Sequence, residues 1–74
     1  MTDLPALPFI EDGDGYSIRL SEEGRDLRII EIERFDNNQN SDPIILKFFD
    51  LPERVRQVVL LQIRRRYPQR SVRI

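Results

Sequence analysis

Asp50-Leu51-Pro52-Glu53-Arg54-Val55-Arg56-Gln57-Val58-Val59-Leu60-Leu61-Gln62-Ile63-Arg64-Arg65-Arg66-Tyr67 is the stretch on which the fold turns, because it joins the longest block of apolar residues to five arginines. The spacing predicts a helix over 50–67. Asp50 offers a carboxylate to the free N–H groups of a first turn, Glu53 stands three residues on in capping-box position, and Pro52 suits a first-turn position that needs no N–H. At the other end Pro68 biases Tyr67 toward extended backbone. Arg64, Arg65 and Arg66 stand where unpaired helix carbonyls favour cations.

Four-residue steps advance a helix by about 40° beyond one full turn, so Leu51, Val55, Val59, Ile63 and Tyr67 form one ridge, joined by Leu60 near Tyr67. That ridge is the expected core side. A second line, Arg54, Val58, Leu61 and Arg65, runs along another side, with Leu61 set among Arg54, Gln57, Arg64 and Arg65. An apolar anchor ringed by arginine matches the anatomy of protein interfaces. These four residues are therefore the candidate partner-binding set.

A chain of 74 residues is one domain, and one of this size buries about 60% of the surface that its unfolded form exposes. Disulfides, metals or self-association often support such small domains. The sequence contains neither cysteine nor histidine, which leaves self-association as the remaining route. The same absence removes thiol nucleophiles, Ser-His pairing, Cys/His zinc sites and the imidazole switch. A non-enzymatic protein with no cofactor, no metal and no small-molecule substrate is the expectation. No apolar run approaches the roughly 20 residues of a membrane helix, and the first residues lack a signal-peptide layout; a soluble cytoplasmic protein is expected.

Charge is unevenly spread. Residues 51–74 carry seven arginines against Glu53, a balance of +6, whereas residues 1–50 carry four arginines and Lys47 against twelve acids, a balance of −7. Such a split either closes on itself within the fold or leaves a basic face for an anionic partner. Arg56, Arg64, Arg66, Arg70 and Arg73 are the alternative, anion-binding set, with nucleic acid as the partner class. Against that reading stand the overall acidity, the twelve acids of the first 50 residues, and the lack of aromatic residues interleaved with the arginines.

Ahead of the helix, residues 1–15 read as a flexible acidic, proline-containing arm, with docking of Phe9 and Ile10 on the core or on a partner as the alternative. The domain proper spans 16–74. Asp12–Glu23 has the length of a calcium loop, but Tyr16 replaces an oxygen ligand at its fifth position and Ser17 replaces the turn glycine at its sixth. Gly13 and Gly15 read as turn residues. Tyr16, Ile18 and Leu20 alternate with Ser17, Arg19 and Ser21, the period of a half-buried strand. Glu22-Glu23-Gly24-Arg25 supplies a hairpin turn, and Leu27–Phe35 supplies the returning strand.

Leu27 and Ile29 share one phase and Ile30 and Ile32 the other, so a β-bulge or two-sided burial is expected there. A helix beginning at Ser21 is the competing reading. Asp36–Pro43 predicts a surface loop. Ile44–Phe49 predicts a central strand, with a buried helical turn opened by Pro43 as the competitor, and Ser71–Ile74 either adds a short last strand or trails off.

The resulting fold class is α+β: an antiparallel hairpin and a third strand packed on one C-terminal helix. One helix covers one sheet face, so the other needs the N-terminal arm or a second subunit. Glu31 and Glu33 project to the same side of a strand, and pairing with Arg19, Arg25 or Arg28 is their ordinary role. Phe48–Val55 resembles the Leu-Pro-x-x-hydrophobic opening of F-box helices. The β-rich residues before it depart from that all-helical family, and no function is carried across. The functional expectation is a small interaction or regulatory module, a homodimer through the helix or a binder of another protein.

Overall fold

The computed structural model describes residues 2–35 and 42–74. Thr2–Asp3 (β1), Leu7–Glu11 (β2), Asp14–Glu23 (β3), Asp26–Phe35 (β4), Ile44–Leu46 (β5) and Ser71–Arg73 (β6) form one sheet; a 3₁₀ turn, Phe48–Asp50, and the helix Glu53–Arg66 (α1) lie between β5 and β6. The class is α+β, an antiparallel sheet packed against one C-terminal helix. β3 and β4 pair along their whole length. β1 and β2 share the outer side of β3, while β5 and β6 share the outer side of β4. All pairs are antiparallel except β4 with β6, which run parallel.

Two tight turns set the registers. Asp12 and Gly13 both have positive φ, 52° and 82°, the signature of the type I′ hairpin that an Asp-Gly pair favours. Gly24 has a φ of 60° while Arg25 does not enter the left-handed region, the pattern of a type II′ turn. The phase slip in β4 is a bulge. Arg19 faces Glu31 and Leu20 faces Ile29, so Ile30 is the extra residue. Leu27 and Ile29 before it, and Ile32 after it, therefore all reach the same buried face.

Residues directly opposed across the ladder project to one face. Phe9 with Tyr16, Ile18 with Ile32, and Leu20 with Ile29 are such pairs, and they meet Leu51, Val55, Val59 and Ile63 in a single core. Phe9 and Tyr16 stack with ring centroids 5.0 Å apart. The expected ridge is buried, with Tyr67 packed partly against it.

Three expectations need correction. Helix α1 begins at Glu53, not Asp50, and Asp50 does not cap it. Pro52 holds Leu51 in extended backbone, with ψ 148°, because its ring disfavours the helical region for the preceding residue. Asp50 instead closes the 3₁₀ turn by accepting from the Lys47 N–H at 3.1 Å. The first helical bond runs from the Arg56 N–H to the Pro52 carbonyl, 3.0 Å.

Residues 2–11, expected as irregular arm, supply β1 and β2, and Phe9 enters the core. Pro8 fits because β2 is an outer strand with one unpaired edge. Ile44–Phe49 divides between both of its readings, strand over 44–46 and 3₁₀ turn over 48–50, and β5 lies at the sheet margin instead of its centre. The loop expected at Asp36–Pro43 falls outside the described residues from 36 to 41. Among the described residues no helix is long and apolar enough to cross a membrane.

Candidate functional site

The partner-binding line does not behave as one unit. Val58 is partly buried against the core. Arg54 lies 3.3 Å from Glu11 and 3.6 Å from Asp12, tying α1 to the β2–β3 turn. Leu61 stays 46% exposed, and Arg65 is exposed with no ion pair among the described residues.

The anion-binding set is also divided. Arg70 gives its donors inward: Nη1 to Glu22 at 2.7 Å, Nε to the Arg25 carbonyl at 2.7 Å and Nη2 to the Gly24 carbonyl at 3.0 Å. It clamps the β3–β4 turn. Arg73 binds Asp26 at 2.7 Å, and Arg66 lies over the Tyr67 ring, 5.2 Å from its centroid. Arg56 is half-buried and Arg64 exposed, and neither joins an ion pair among the described residues. Arg54, Arg70 and Arg73 thus draw on acids of the first half, so the charge split closes partly within the fold.

The strand register also places Glu31 and Glu33. Glu31 lies opposite Arg19 and is ion-paired with it. Glu33 lies opposite Ser17. Asp12 and Glu23, the ends of the calcium-like stretch, are separated by the length of β3, about 33 Å at 3.3 Å per residue. No group of acidic side chains among the described residues is arranged to hold a metal ion.

The fold perturbs the titration of Tyr16. Burial raises its pKa above the ordinary 10.0, and the Asp14 carboxylate adds to the rise. The Arg34 guanidinium, which donates a hydrogen bond to the phenol, opposes it. Arg34 Nε is buried without a hydrogen-bond partner among the described residues.

The sequence implied a second, uncovered sheet face but did not name the residues that form it. Ile10, Gly15 and Phe35 form one row across β2, β3 and β4; Pro8, Ser17, Glu33 and Ile45 form the next. Ile10 is 75% exposed, Phe35 41% and Ile45 53%. Pro8, Ile10, Gly15, Ser17 and Phe35 line an open groove of about 640 Å³. Gly15 forms its floor, since a side chain there would touch only Phe35 Cβ, at 3.8 Å.

Farther along the same face the chemistry changes to ion pairs, Arg19 with Glu31, Arg28 with Glu23 and Arg73 with Asp26. The sequence did carry a signal for the apolar end. Leu7 and Phe9 alternate with Pro8 and Ile10, so β2 is apolar in both phases. No protein-family model, curated protein or solved structure matches the chain.

Proposed function

We propose that this protein is a small non-enzymatic interaction module that self-associates through the apolar end of its open sheet face. The observation that carries the reading is the adjacency of a knob and a hole on one patch. Ile10 projects from β2, and the Gly15 notch lies beside it on β3. A two-fold axis through this patch sets Ile10 of each copy over Gly15 of the other, the self-complementarity that an isologous interface requires. Glu33 is the one charged side chain in these two rows, so copies approach with little charge opposition.

Exposed apolar area here is on the order of 300–400 Å² per copy, the size of the largest apolar patch on a typical monomer, which is often functional. Two copies together bring about 600–800 Å² of apolar area, below the standard interface size, which suits a weak, concentration-dependent dimer. Pairing through α1 is disfavoured by comparison. Arg54, Arg64 and Arg65 of two copies would face one another around Leu61.

Sedimentation velocity over a concentration series tests the reading, with Ile10→Asp and Gly15→Val as variants. Wild-type protein should shift from monomer to dimer. Both variants should remain monomeric with unchanged circular dichroism, because Ile10 is exposed and Gly15 has ordinary space for a side chain. Two copies of Ile10 contribute about 3–6 kcal/mol at ~1.5–3 kcal/mol each, so Ile10→Asp should weaken the dimer at least ~100-fold. A wild-type monomer at every concentration, or a dimer indifferent to both changes, refutes the proposal.

A further inference from the structure

The outer side of α1 presents a different chemistry from the sheet face, and self-association leaves it unused. Successive residues turn by about 100°, which brings Arg54, Gln57, Leu61, Arg64 and Arg65 onto one strip opposite Val55, Val59 and Ile63. No acid lies within that strip. At its N-terminal end Glu53 precedes Arg54, which is paired with Glu11 and Asp12; at its C-terminal end Arg64 and Arg65 join no ion pair among the described residues. Arg64 and Arg65 keep their positive charge toward solvent. The helix dipole favours cations in the last turn, but it does not account for an exposed leucine between them and Arg54.

We infer that this strip is a docking surface for an acidic, amphipathic helical segment of a partner protein. Charge complementarity selects acidic residues on that segment, and Leu61 selects an apolar residue between them. From Arg54 to Arg65 the strip runs about 16 Å at 1.5 Å per residue, the length of three turns of a facing helix. Nucleic acid fits less well. Glu11 and Asp12 already pair with Arg54, so the acids of a partner segment meet Arg64 and Arg65, whereas a continuous phosphate chain along the strip would run against both carboxylates. Arg70 and Arg73, which would have extended the basic surface, are bound to Glu22 and Asp26. Tyr67, the nearest aromatic ring, is covered by Arg66.

Fluorescence anisotropy with three labelled probes tests the inference. One is a helical peptide with a central leucine flanked by glutamates three and four residues away on each side. The second has lysine in place of each glutamate, and the third is a single-stranded oligonucleotide. The glutamate peptide should bind at least ten-fold more tightly than the lysine peptide. The double variant Arg64→Glu/Arg65→Glu should reverse that order, and Leu61→Ser should weaken the glutamate peptide at least five-fold.

These side chains are exposed, and circular dichroism should confirm that each variant keeps the fold. The Ile10→Asp variant should bind as wild type does, which separates this surface from the sheet face. Equal affinity for the two peptides, no binding by the glutamate peptide, or insensitivity to Leu61→Ser overturns the inference. Preferential binding of the oligonucleotide without dependence on Leu61 also overturns it, in favour of a phosphate-binding surface.

Discussion

Deleting Ile30 should be tolerated, although a one-residue deletion in the middle of a ten-residue strand ordinarily destroys a sheet of this size. Strand side chains alternate between faces, so losing one residue sends every residue on one side of the cut to the wrong face. Ile30 is the exception because it is the unpaired residue of a bulge. Without it, Ile29 still faces Leu20 and Glu31 still faces Arg19. Alternation then runs unbroken through Leu27, Ile29 and Ile32, all of which remain buried. The loss is the partial burial of Ile30, 43% exposed, and the local twist of the bulge, about 1 kcal/mol together.

Deleting Ser17 from β3 gives the contrast. With the Gly24 turn holding Ile18–Glu23 in register, Tyr16 is driven from the core and its stack with Phe9 is lost, at about 3–5 kcal/mol for the aromatic side chain alone. A 74-residue domain has a total stability of about 4–11 kcal/mol at 0.05–0.15 kcal/mol per residue. Urea denaturation followed by circular dichroism should show the Ile30 deletion folding cooperatively, with its midpoint lower by about 1 M at a slope near 1 kcal/mol/M. The Ser17 deletion should lack a cooperative transition. If the Ile30 deletion is as damaging as the Ser17 deletion, the bulge is not what reconciles the two phases of β4.

Two further outcomes follow from burial. Ile63 is fully enclosed and Leu61 is not, so Ile63→Ala should cost about 2–5 kcal/mol in thermal or urea unfolding and Leu61→Ala no more than about 0.5 kcal/mol. Because the folded state raises the Tyr16 pKa, it holds the phenolic proton more tightly than the unfolded chain does. That contribution is complete below pH 10.0 and is lost as pH rises through the folded pKa. Tyrosinate absorbance should show Tyr16 ionising above the ordinary range, and Tyr16→Phe should remove this part of the alkaline loss of stability.

What could be read from the sequence was local periodicity, and what could not was partnership at a distance. The four-residue ridge of Val55, Val59 and Ile63 named the buried side of α1, and the conflict between Ile29 and Ile30 left a bulge or two-sided burial, between which the strand register chooses the bulge. The helix start was misplaced because Asp50 and Glu53 form a plausible cap in isolation. The stronger constraint was Pro52, which acts on the residue before it and separates Leu51 from the helix. β2 was read as arm because Pro5, Pro8 and the acidic turn dominated its composition. Its two apolar phases have different destinations, Phe9 in the core and Ile10 on the open face. β6 pairs in parallel with β4, whose matching segment is more than forty residues earlier in the chain, and a three-residue strand carries no periodicity with which to announce such pairing.

The open face also explains why the apolar residues of the hairpin are not distributed evenly. Helix α1 has 14 residues and spans about 21 Å, whereas ten-residue strands such as β3 span about 33 Å, and the helix lies on one side only. Solvent on the other side would favour charged cross-strand pairs from one end to the other. Such pairs do occupy the rows of Arg19, Arg28 and Arg73. They stop at Glu33, and from there Ile45, Pro8, Ile10 and Phe35 replace them although the same strands continue without interruption. Since backbone and twist run on while the side chains change from paired charges to unpaired hydrocarbon, the hairpin's architecture alone does not call for the change. On the proposed reading it follows the demands of a surface that meets another protein surface, with the Gly15 notch shaped for Ile10 of a second copy.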